Sequence, residues 1–240
     1  MDEPTQLRVL QHGQVSLLGQ FTRSSNFTFL VECTLEAHSL RAVYKPARGQ
    51  QPLWDFAAET LPKRETAAYL LCRAIGWDFV PPTVYRTEDL PAGEGSLQWF
   101  VEHDPEQHYF TLTEAERASL QPLALFDLLA NNADRKGGHI LRDEAGKLWA
   151  IDHALCFHAE TKLRTVIWDF AGQPLGKALL NSLDALNLRL SPGQPFLLEI
   201  SRYLSAAESD SLCERCQKLL ADGHFPFPAE DRRAFPWPPV

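Results

Sequence analysis

Two aspartates, a histidine and a lysine are the residues of this sequence whose types and spacing could hold a cation and an anionic group together. The stretch Leu128-Leu-Ala-Asn-Asn-Ala-Asp-Arg-Lys-Gly-Gly-His-Ile-Leu141 leads through a turn, Arg142-Asp-Glu-Ala-Gly-Lys147, into Leu148-Trp-Ala-Ile-Asp-His-Ala-Leu-Cys-Phe157. Its grammar is helix, polar loop, strand, hairpin turn, strand and then Asp. A short hairpin returns the residues just before Ile140 beside those just after Ile151, so Asp134, His139 and Asp152 are expected to converge. Converging carboxylates need a cation or a proton to coexist. Two carboxylates and a neutral imidazole suit a divalent ion, and Mg²⁺ in particular combines few protein carboxylates with phosphate oxygens of a substrate. Lys45 would add the point charge for phosphate.

Those groups need a scaffold. Residues 15–21, 27–33 and 40–45 read as strands of a small antiparallel sheet, separated by polar turn residues. In Arg41-Ala-Val-Tyr-Lys45 the two-residue period puts Arg41, Val43 and Lys45 on one face. A helix follows, with Pro62 suited to its first turn and Gly76 to the position after its last. Glu65, Ala68, Tyr69 and Cys72 share one face of it, and an inward carboxylate needs a cationic partner, for which Lys45 is the candidate. Residues 80–86, opened by Pro81-Pro82 as an edge, and 96–102 read as two further strands. Beyond residues 103–105 the pattern turns helical. Thr113 and Glu116 are spaced as a capping box, Pro122 is expected to kink or divide the next helix, and residues 196–221 read as helix. The expectation is an α+β chain with a single domain over residues 1–240, split into a strand-rich lobe over 1–103 and a mostly helical lobe over 104–240.

The pattern resembles the atypical branch of the protein-kinase-like fold, especially type II phosphatidylinositol 4-kinases and HipA-type kinases, from about residue 15 to residue 170. Asn132-Ala-Asp134-Arg135, His139 and Ile151-Asp152 match the catalytic loop, the metal-ligand position beyond it and the metal-binding strand end. The resemblance implies a two-lobed kinase-like fold and an ATP- and metal-dependent phosphotransferase with a hydroxyl acceptor. Asp134, with Arg135 beside it, would orient or deprotonate the acceptor, and Asp152 and His139 would hold Mg²⁺. Lys45 would grip the α- and β-phosphates, fixed by Glu65. Residues 19–31 match the phosphate-covering hairpin, with Ser24, Ser25 and Asn26 at its tip, and residues 98–102, including Phe100, Val101 and Glu102, match the segment that grips adenine. The hairpin lacks Gly-x-Gly-x-x-Gly, His139 replaces the usual Asn and leaves room for Mn²⁺, and His153-Ala154 stands where typical protein kinases have Phe-Gly. Trp168-Asp169-Phe170 falls where such folds place a substrate-facing segment or pack an aromatic pair.

The chain has 240 residues, 45% of them hydrophobic, which is enough for a substantial core. Its 31 acidic and 23 basic residues give a net charge of −8 with no long basic run, which excludes nucleic acid as an expected partner. Asp2 and Glu3 stand where a signal peptide carries positive charge, and no apolar run reaches the ~18 residues that span a bilayer. With an odd count of five Cys, a cytoplasmic location without integral membrane association is expected. Cys213 and Cys216 share a helical face and read as packing residues. Three functions stay open: phosphotransfer to a small molecule, an inositol-type headgroup or a protein; a nucleotide-binding regulator without turnover; and a metal-dependent hydrolase using His139, Asp152, His153 and His158. Transfer of AMP in place of phosphate uses the same residue types.

Overall fold

The computed structural model describes residues 1–21, 26–51 and 53–240. The chain opens with helix α1 (Glu3–His12), capped by the Asp2 carboxylate, which accepts the Thr5 N–H. Only the acidic charges of this segment are legible in the sequence. The helix exists because Val9 and Leu10 bury themselves against the sheet behind it.

That sheet contains β1 (Gln14–Gln20), β2 (Phe29–Leu35), β3 (His38–Pro46), β4 (Thr83–Arg86) and β5 (Gly95–Trp99), antiparallel throughout in the order β1-β2-β3-β5-β4. Alternation in β3 sends Leu40, Ala42 and Tyr44 into a core shared with Val31, Cys33, Val84 and Leu97. Arg41, Val43 and Lys45 are left on the opposite face. Helix α2 (Leu61–Ile75) lies between β3 and β4 in sequence, with Pro62 in its first turn and Gly76 at φ 90, a left-handed cap that favours glycine. The buried face of α2, including Ala67, Leu71 and Cys72, belongs to the large helical core rather than to the sheet's own cluster.

Thr113 and Glu116 form the capping box of α3 (Glu114–Ala118), and Pro122 divides the run by starting α4 (Gln121–Ala130). A left-handed Asn131, at φ 51, ends α4 and releases the chain into the polar loop. The hairpin β6 (Ile140–Arg142) and β7 (Leu148–Ala150) follows, turning at Gly146, φ 83. Three helices close the chain: α5 (Lys177–Arg189), α6 (Pro195–Ile200) and α7 (Ala206–Asp222). The first was not anticipated, and residues 196–221 are two helices because Ser205 and Glu208 form a new capping box between them.

All five cysteines are free thiols. Burial pushes the Cys216 thiol up to about 12, so it is protonated and unreactive. Among the described residues no group of three or more His, Cys, Asp or Glu is placed to hold a metal by itself, and no helix is long and apolar enough to cross a membrane.

Candidate active site

Lys45 reaches from β3 to two carboxylates that are distant in sequence. Its Nζ pairs with Glu65 of α2 and lies 2.9 Å from Asp152 Oδ1, just beyond β7. Burial works against the Lys45 charge, but Asp152 and Glu65 outweigh it and raise the ammonium above its ordinary range. Burial also pushes Glu65 up, opposed by Lys45. The other oxygen of Glu65 accepts the His153 N–H at 3.0 Å, so one carboxylate ties the sheet's lysine to the residue after Asp152.

Asp152 has φ 58, a left-handed conformation that costs a residue with a side chain and tends to persist at functional sites. Its carboxylate remains 42% exposed to the cleft. Burial opposes its ionisation, yet Lys45 and then His139 hold its pKa well below the usual carboxylate range. His139 Nε2 stands 3.3 Å from Asp152 Oδ2, and burial first of all lowers the imidazole to about 4, leaving it neutral. The Lys136 N–H points to His139 Nδ1 at 3.3 Å, so in this arrangement Nε2 carries the proton and faces Asp152. Ligation through Nε2 would exchange that tautomer for the one protonated at Nδ1, at the cost of this long hydrogen bond.

Asp134 lies beside this pair. Burial raises its carboxyl to about 6, against the pull of Lys136, whose Nζ is 3.5 Å away, and with a further push from Asp152. Lys136 was not singled out from the sequence, although the run Asp134-Arg-Lys136 contains the signal.

Two adjoining cavities meet at Asp152. The larger, about 450 Å³, has Val43 and Lys45 of the sheet, Leu141 and Ile151 of the hairpin region, and Phe100, Val101 and His103 of the connecting segment among its walls. Phe100 donates its N–H to the Arg41 carbonyl at 2.9 Å, whereas the Val101 N–H makes no hydrogen bond among the described residues. The smaller cavity, about 110 Å³, is lined by Asn26, Gln51, Leu53, Asp134, His139 and Asp152 with two further neighbours. Asn26 Oδ1 also accepts the Gln51 N–H at 2.7 Å. Ser24 and Ser25 lie outside the described residues.

Several expectations need correction. Arg135, placed among the catalytic groups, is fully buried and cannot touch a substrate. Its Nε bonds both oxygens of Asp127 at 3.1 Å, while its guanidinium also holds the Ile151 carbonyl at 2.7 Å and His153 Nε2 at 2.7 Å. It is a positioning residue that anchors the loop carrying Asp134 to the strand end carrying Asp152. Sequence reasoning missed Asp127, the one charged residue in the apolar run Gln121-Pro-Leu-Ala-Leu-Phe-Asp-Leu-Leu-Ala130, which was the available signal. The Glu102 side chain pairs with Arg41 on the surface and is not part of the cavity wall. His153 is buried against Arg135 and His158 packs its ring on Phe56, so the histidines do not assemble the metal centre of a hydrolase. Asp169 accepts the Tyr109 hydroxyl, and Phe170 packs on Phe225.

Residues 55–192 match the family model described as phosphatidylinositol 3- and 4-kinase. The chain belongs to the phosphatidylinositol 3- and 4-kinase family. The matched region carries Glu65, Asp134, His139 and Asp152, while Lys45 stands before it. Among the relatives of this family member, Protein Rv2133c of Mycobacterium tuberculosis (strain ATCC 25618 / H37Rv) is 38% identical over 96% of this chain and 94% of its own length. Phosphatidylinositol 4-kinase gamma 4 of Oryza sativa subsp. japonica is 32% identical over 51% of this chain, which spans only 26% of that protein. The crystal structure of the Golgi casein kinase with Mn/ADP bound superposes with a TM-score of 0.55 at 13% identity, covering 91% of this chain and 74% of that one. At that identity the likeness shows a kinase-like fold and no more.

Proposed function

We propose that this chain transfers the γ-phosphoryl group of ATP to a hydroxyl of a small molecule, an inositol-type headgroup or a protein. The observation that carries this is the meeting of the two cavities: Lys45, held by Glu65 and Asp152, faces the larger, and Asp134 lines the smaller next to it. The larger cavity takes the nucleotide, with the base between Val43 and Leu141 and its edge toward the Val101 backbone. Lys45 binds phosphate oxygens, and Lys136 adds charge where the γ-phosphoryl group must pass. Asp134 accepts the acceptor's hydroxyl proton as the new O–P bond forms and the bond to the β-phosphate oxygen breaks, releasing ADP.

The donor set fits a divalent ion shared with a nucleotide. Asp152 and His139 offer an oxygen and a nitrogen 3.3 Å apart, too few ligands for a closed protein site and sufficient where phosphates complete the shell. Mg²⁺ or Mn²⁺ held there would neutralise charge on the phosphates, and the Mn/ADP bound to the Golgi casein kinase agrees with that choice. The free thiols fit the reducing cytoplasm.

Saturating ATP with Mg²⁺ or Mn²⁺, at about a hundred times its dissociation constant, is expected to stabilise the chain by about 2.7 kcal/mol, or roughly 5–11 °C in Tm. The shift should vanish in Asp152→Ala; a shift that survives would take the nucleotide out of this cleft. Binding without transfer to any acceptor would instead leave a regulator, and mass analysis of a modified acceptor separates phosphate from AMP.

The pH profile gives a second check. A base must be ionised, and burial pushes the Asp134 carboxyl up to about 6 against the pull of Lys136. Expected kcat/KM therefore falls about tenfold per pH unit below that value and levels off above it. A profile with no acid limb between about pH 5 and 7 would remove Asp134 from the role of base.

A further inference from the structure

A third cavity, about 370 Å³, lies outside the cleft, between the end of α4, the segment after the active-site hairpin, α7 and the chain that follows it. Its apolar wall includes Leu163, Trp168, Leu219 and Phe227, and its polar wall includes Arg215, Lys218 and Arg232 with Asp222. In a chain of net charge −8, three cations against one acid in a single concave site is a local reversal of sign.

Arg215 makes the site unusual. Its Nε bonds the Leu129 carbonyl at 2.8 Å, its Nη1 reaches the His158 carbonyl at 3.4 Å, and its buried Nη2 has no hydrogen-bond partner among the described residues. Among the described residues no carboxylate stands within 4.0 Å of this guanidinium. Burial lowers the guanidinium to about 10. A half-buried cation without a counter-ion is less favourable than a paired one, and neutral carbonyls offset only part of that cost. Lys218 likewise forms no ion pair among the described residues, whereas Arg232 is paired with Asp231 at 3.1 Å. Phe227, whose ring packs on Gly172, still stands 73% exposed at the edge of the pocket.

We propose that this cavity binds a small amphiphilic anion, an aromatic or aliphatic body carrying one carboxylate, sulfonate or phosphate group. The volume suits a small molecule. The body would lie on Trp168 and Phe227 with its anionic group toward Arg215 and Lys218. Such a ligand would press on residues that continue into the catalytic loop: Asn131, in the wall, accepts the Lys162 N–H through its side-chain Oδ1 at 2.9 Å, and the backbone carbonyl of Asn132 accepts the Arg164 N–H at 2.8 Å.

The probe is 8-anilinonaphthalene-1-sulfonate, an aromatic body with one anion, titrated into the full chain and followed by its fluorescence, with decanoate as an aliphatic competitor. The expected result is one saturable site that decanoate displaces and saturating ATP with Mg²⁺ does not. Its dissociation constant should rise at least tenfold in the double variant Lys218→Glu, Arg232→Glu, whose changes at the surface leave the fold intact, and also in Arg215→Gln if that variant folds. No saturable site, equal affinity in the double variant, or displacement by ATP would each overturn the proposal. It stands or falls independently of catalysis in the cleft.

Discussion

Asp134→Asn is expected to lower kcat by roughly 10²–10⁴-fold, the range over which a positioned general base contributes. The change keeps the shape of the side chain and removes its ability to take a proton. Asp134 lines the small cavity and not the large one, so the KM for ATP should stay within about twofold of the parent. The fold should not suffer. The Asp134 carboxyl is raised to about 6 from its ordinary value, chiefly by burial, so the folded state holds the proton more tightly than the unfolded chain does. Its contribution is therefore most favourable below the ordinary carboxylate pKa and is lost as pH rises through about 6. Near neutral pH the ionised group is a cost, and Asn removes it. Loss of turnover with an equal or higher Tm is the expected pair of results, measured by phosphoryl transfer and thermal unfolding at about pH 7.5. Turnover within about tenfold of the parent would show that the carboxylate is not the base.

Asp127→Ala should have the largest effect on stability. Both carboxylate oxygens face Arg135, and Asn132 at 3.0 Å and Thr165 at 3.1 Å complete the set, with neither member of the ion pair exposed. Removing Asp127 leaves the guanidinium buried and uncompensated, a loss of about 3–5 kcal/mol and a fall of roughly 6–20 °C in Tm for a chain of this size. The exposed pair between Arg41 and Glu102 is the control, and Arg41→Ala should cost no more than about 1 kcal/mol. The double change Asp127→Leu, Arg135→Met should recover much of the stability, because the single change is costly mainly through the charge it strands. Activity should not return with it, since Arg135 also holds the Ile151 carbonyl beside Asp152. A fall of less than about 1 kcal/mol in Asp127→Ala would show that the pair does not anchor the loop.

The fold class and the hairpin were legible because both rest on local patterns. Alternation in β3 decides which side chains face the core, and Pro62 with Gly76 brackets α2 through backbone preferences that operate within a turn. The approach of His139 to Asp152 is a consequence of a short antiparallel pair, β6 with β7, whose turn residues stand in the sequence. Helices α1 and α5 were not read. The first shows its apolar face only against a sheet formed by later residues, and the second carries Leu179, Leu183 and Leu186 at helical spacing but starts after Gly176, with no capping side chain to mark where it begins.

By itself the sequence determined the strand, the helix and the loop on which each candidate group stands, because dihedral preferences and side-chain period act between near neighbours. Tertiary structure alone decided which of those groups meet. Lys45 finds Asp152 across 107 positions, and an Asp-Arg pair in a polar loop reads the same whether its arginine faces solvent or, like Arg135, is sealed against Asp127. Burial and long-range charge pairing are properties of how distant elements pack. They divide adjacent residues into one that can reach a substrate and one that holds it in place.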